Sequence, residues 1–102
     1  MRVQLLYFDG CPHRTLLEER LKEALDLLDD PSTIEHLPVE SQEEAERLGF
    51  AGSPSILVDG TDPFGSPTSA AGLTCRVYPT PEGPSGSPTL DQLVAVLRAA
   101  SR

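Results

Sequence analysis

The sequence predicts an α/β domain with the element order β-α-β-α-β-β-α, in which a four-stranded mixed sheet of strand order 4-3-1-2 carries helices on both faces. Three observations lead there. Short apolar runs bounded by Gly, Pro and Asp recur along the chain, segments of helical apolar spacing or helix-capping chemistry separate them, and no internal repeat or domain linker interrupts the pattern. The 102 residues form one domain, 1–102, long enough to bury a core without disulfides or metals.

Residues 3–8, Val-Gln-Leu-Leu-Tyr-Phe, are largely apolar and end at Asp9-Gly10, as a buried central strand does. From Pro12 to about Leu28 the apolar residues Leu17, Leu21, Ala24, Leu25 and Leu28 recur at helical spacing, so one helix face is turned to the sheet. Pro31 stops that helix, and residues 33–37 alternate as a second strand. A helix between two such strands makes a parallel, right-handed crossover the economical connection. Ser41-Gln42-Glu43-Glu44 is a capping box for a short second helix that ends near Gly49. Residues 55–59 form the third strand, closed by Asp59-Gly60. A Pro/Gly/Ser-rich loop, 61–72, leads to the last strand candidate, 73–78, and another breaker-rich loop follows. Leu90, Leu93, Val94 and Leu97 then form the apolar stripe of a final helix, entered through Ser87-Pro88 or capped by Thr89.

Composition narrows the function. A net charge of −8 with only eight Lys and Arg disfavours nucleic acid, whose phosphates need a basic face, and disfavours an anionic membrane surface for the same reason. No apolar run reaches spanning length and the N-terminus lacks signal-peptide order, so the expected location is cytoplasmic. Two cysteines in that setting read as thiols for chemistry or for soft metals rather than as a structural disulfide.

Cys11 is the centre of the functional reading, because it stands between the first strand and the first helix. Unpaired N–H groups and the positive end of the helix dipole there favour a thiolate over a thiol, and Pro12 suits the first helical position. His13 and Arg14 are the candidate modulators of that thiol. Pro54, after Gly52-Ser53, is expected in the cis form beside Cys11, where it would leave the Ser53 backbone open to an incoming strand; a trans proline opening an edge strand is the alternative. Ser53, Pro54 and Pro12 are therefore the candidate substrate contacts. His36 reads as a packing residue of the second strand.

Taken together, Phe8-Asp9-Gly10-Cys11-Pro12, Gly52-Ser53-Pro54-Ser55 and Asp59-Gly60 in this element order resemble the thioredoxin-like fold family over essentially the whole chain. The Gly-Ser-Pro, Asp-Pro-Phe and Cys-Arg-Val-Tyr segments at 52–54, 62–64 and 75–78 are similar to small actinobacterial-type thioredoxin-like proteins, some loosely labelled alkylmercury lyases. The resemblance implies thiol–disulfide oxidoreduction at Cys11 with a protein or small-molecule thiol or disulfide as partner and no cofactor. Arg14 stands where the family has its second cysteine, so a monothiol route is expected, with Cys75 or an outside thiol resolving the mixed disulfide. Two alternatives stay open: a thiolate site for Hg or Cu ions built on Cys11 and Cys75, and an interaction module with an inert cysteine. Unless the 61–72 loop folds back along the sheet, strand geometry sets Cys75 at the end far from Cys11.

Overall fold

The computed structural model describes residues 1–65 and 72–100, so part of the predicted 61–72 loop, residues 66–71, lies outside the described residues. The elements are β1 (Val3–Tyr7), α1 (Arg14–Leu27), β2 (Ile34–Pro38), α2 (Gln42–Leu48), β3 (Ser55–Val58) and α3 (Leu90–Ala100). They form a mixed sheet of three strands in the order β2-β1-β3. β1 is central, parallel to β2 with Val3 opposite Ile34, and antiparallel to β3 with Val3 opposite Val58.

Alternation along the strands sorts side chains to two cores. Val3, Leu5, Ile56 and Val58 meet Leu17, Leu21, Ala24 and Leu25 of α1 and Leu93 and Leu97 of α3 on one face. Leu6 on the other face meets Val39, Ala45 of α2 and Phe50. The caps explain where the helices start. The Ser41 hydroxyl accepts the Glu44 N–H at 3.1 Å. At α3, Thr89 Oγ1 accepts the Gln92 N–H at 3.2 Å while Gln92 Oε1 accepts the Thr89 N–H at 2.8 Å, a reciprocal capping box that assigns the start of α3 to Thr89.

The four-stranded sheet of order 4-3-1-2 is not present, because residues 73–78 do not form its fourth strand. After β3 the chain turns at Asp59-Gly60 and, among the described residues of the loop, pairs back at Val58 with Thr61 alone. The hairpin stops there for a local reason: Pro63 has no N–H to donate to a ladder, and the Asp62 side chain takes the Phe64 N–H at 2.9 Å to bend the chain away. By Gly72 the chain is back at the start of β3, with the Gly72 N–H on the Phe50 carbonyl at 3.0 Å. The segment that follows makes isolated bridges, Cys75 with Ser53 and Tyr78 with Ser85. Its burial does not follow apolarity either, since Val77 is 64% exposed whereas Arg76 is buried.

Candidate thiol site

β1 delivers the chain into a tight turn, closed by the Cys11 N–H on the Phe8 carbonyl at 3.3 Å, that leaves Cys11 half-buried and Pro12 exposed. α1 begins at Arg14, two residues later than the sequence pattern implies, with His13 as its N-cap and no side chain capping it. Its first backbone bond runs from the Leu17 N–H to the His13 carbonyl, so Pro12 precedes the helix instead of opening it. Cys11 therefore sits just ahead of the uncapped N–H groups of α1.

The two predicted modulators are both engaged elsewhere. The Arg14 guanidinium lies 3.9 Å from the centre of the Tyr7 ring, and its Nη2 is 3.8 Å from Glu18 Oε1. Among the described residues, its buried Nε has no hydrogen-bond partner. His13 packs against Gly86, where even a methyl group would stand 2.3 Å from the imidazole ring. The loop around Gly86 thus laps over the start of α1, and glycine is what lets it approach. His36, expected as a packing residue, stands at the surface with Nε2 3.1 Å from Glu18 Oε1. Burial pushes the Glu18 carboxyl up, but hydrogen bonds from Lys22 and His36 outweigh it and hold the group below its usual range.

Facing the Cys11 turn is the loop before β3. The Ser53–Pro54 bond is cis, as the sequence predicts. Ser53 is fully buried, and its hydroxyl accepts the Phe8 N–H at 3.3 Å, which joins this loop to the Cys11 turn. Its backbone is not open to an incoming strand. The Ser53 N–H is bonded to the Thr74 carbonyl at 2.8 Å, and the Ser53 carbonyl accepts the Arg76 N–H at 2.9 Å. Between those two bonds Cys75 lies in parallel register with Ser53. Cys75 consequently belongs to the Cys11 end of the sheet, because the chain re-enters at the start of β3 and not at its finish. Both thiols are free, Cys11 half-buried and Cys75 exposed.

Residues that the sequence reading did not single out hold this segment in place. Arg76 Nη1 is 2.5 Å from Asp62 Oδ2, with side-chain exposures of 9% and 13%, and donates to the Ser55 hydroxyl at 2.9 Å. The Arg76 guanidinium also lies 4.5 Å from the centre of the Tyr78 ring, whose edge-to-face partner is Phe64. The buried Tyr78 hydroxyl donates to the Pro54 carbonyl at 2.5 Å. Burial drives the Tyr78 ionisation well above its ordinary range, and the Arg76 charge opposes this. Asp62, Phe64, Arg76 and Tyr78 come from the Asp-Pro-Phe and Cys-Arg-Val-Tyr segments. The recoverable signal was an arginine inside an apolar run, which needs an acidic partner once buried.

A cleft of about 400 Å³, lined by Ala51, Phe64, Cys75, Arg76 and Tyr78 among others, opens beside this clamp. Among the described residues, no group of three or more His, Cys, Asp or Glu side chains could hold a metal ion. No described helix is long and apolar enough to cross a membrane. Comparison with protein-family models, with curated proteins and with solved structures finds no match to this chain.

Proposed function

We propose that this is a thioredoxin-like thiol–disulfide redox protein of the monothiol type, with Cys11 as its nucleophile. The observation that carries the reading is the position of Cys11: half-buried, on a turn hydrogen-bonded to Ser53 beside Pro54, just ahead of the uncapped N–H groups of α1. In the reaction the Cys11 thiolate attacks one sulfur of a disulfide. The substrate S–S bond breaks, a mixed disulfide forms at Cys11, and the other sulfur leaves as a thiolate that takes a proton from water. A second thiol, Cys75 or a small-molecule thiol, then attacks the mixed disulfide and releases the bound half, because Arg14 offers no thiol on the next turn of chain.

The test is mass spectrometry of the intact protein after exposure to a disulfide, with Cys11→Ser and Cys75→Ser compared. Mixed-disulfide formation should disappear in Cys11→Ser and persist, with slower release, in Cys75→Ser. Equal labelling of the two variants would overturn the assignment of the nucleophile.

A further inference from the structure

We propose that residues 74–76 fill the strand position against Ser53 at the Cys11 turn, so that Cys11 takes small-molecule disulfides and excludes extended polypeptide ones. The inference rests on Cys11 being the nucleophile and narrows its substrate. An extended polypeptide approaching a sheet edge is held by backbone hydrogen bonds, and an edge already paired offers none. Next to the Cys11 turn the edge is Ser53, and both its N–H and its carbonyl are bonded to the chain's own Thr74 and Arg76.

The occupant is built in rather than resting there. Gly52 is its seat: a Cβ at that position would stand 3.0 Å from Arg76 Cβ and 3.1 Å from the Thr74 carbonyl, so the absence of a side chain lets the two backbones meet. Arg76 then locks it through Asp62, Ser55 and the Tyr78 ring. Displacing residues 74–76 carries Arg76 away and leaves the Asp62 carboxylate, only 13% exposed, without its cation. A small disulfide needs no such edge, since it requires only line-of-attack access to the thiol of the half-buried Cys11. The mixed disulfide then carries a small group that a second small thiol can reach, with no electrons required beyond those of the two thiols.

Two probes with the same leaving group separate the cases: thionitrobenzoate mixed disulfides of glutathione and of an unstructured peptide. Release of thionitrobenzoate by the wild-type protein should be no faster with the peptide and should show no saturation. In Asp62→Asn and Gly52→Ala the ratio of peptide to glutathione rates should rise by about tenfold, the change a binding contribution of about 1.4 kcal/mol produces. Amide hydrogen exchange supplies a readout free of thiol chemistry, with Ser53 and Arg76 N–H protected in the wild type and exposed in the variants. Faster, saturable reaction of the wild type with the peptide would overturn the inference, as would an unchanged ratio in variants whose Ser53 and Arg76 amides have become exposed. Where a variant does not fold, the wild-type rates and amide protection decide the matter. Inertness of Cys11 towards both probes overturns the redox reading and the substrate class with it. It is told apart from an open edge, in which thionitrobenzoate is released but Ser53 and Arg76 exchange freely.

Discussion

The core beneath α1 and α3 and the segment 72–78 are both packed against the same sheet, yet they are held by different physics. In the first, Leu17, Leu21, Leu93 and Leu97 bury apolar surface at helical spacing against Val3, Leu5 and Ile56, and the attraction has no direction. In the second, Leu73 and Val77 stay exposed while Arg76 and Tyr78 are buried, each satisfied by a particular partner. Loss of one apolar group in the core leaves a hole that neighbours partly fill. Loss of one partner in the clamp leaves a charge or a carbonyl short of the particular group that satisfied it. The candidate thiol site is built at the second kind of packing, which is why its geometry is set by a few polar contacts.

The sharpest way to break this comparison is Arg76→Ala. It leaves the Asp62 carboxylate, 13% exposed, without its cation and should cost about 3 kcal/mol by denaturant unfolding, the low end for breaking a buried pair. Arg76→Ala combined with Asp62→Ala should restore part of that loss, and if it restores none the clamp is not an ion pair in energetic terms. Leu21→Ala, at the centre of the apolar core, should cost about 2–5 kcal/mol with no second substitution able to recover it by charge matching. A value under about 1 kcal/mol, well below the usual range for a buried leucine, would mean the helix face is poorly packed.

Tyr78→Phe sharpens the same contrast by removing only a hydroxyl, and should cost about 1 kcal/mol because the Pro54 carbonyl loses its donor. Spectrophotometric titration should find the Tyr78 transition above the ordinary tyrosine value of about 10, lost in Tyr78→Phe. The smallest effect belongs to the surface network of Glu18, Lys22 and His36. The folded-state pKa of Glu18 is depressed, so its contribution is present above the unfolded value of about 4.3 and is lost as pH falls through the folded value. Glu18→Gln should therefore destabilise by about 0.3–1 kcal/mol near neutral pH, with the gap to the wild type closing in acid. A gap that stays constant down to acid would remove the ion pairs as its cause.

How much was legible in the sequence depended on whether a signal was local. Helix spacing placed Leu17, Leu21, Leu93 and Leu97 on their buried faces, and capping chemistry placed Ser41 and offered Thr89 as one of two starts for the last helix, because each of these signals is complete within one or two turns of chain. The cis Ser53–Pro54 bond was expected from the likeness of Gly52-Ser53-Pro54-Ser55 to a cis-proline loop and from the strand it enters, since Ser-Pro by itself permits either isomer. Residues 73–78 were not legible, since an apolar, β-branched hexamer meets the requirements of a strand equally well whether or not a partner edge lies within reach. Only the tertiary structure decided that the chain re-enters beside Ser53, and with that it decided three matters at once. Cys75 is brought to the Cys11 end of the sheet, the Ser53 backbone is closed, and Arg76 meets Asp62. The physical reason is that hydrogen-bond partners and buried counter-ions are chosen across long sequence separations, where composition and period carry no record of which groups will meet.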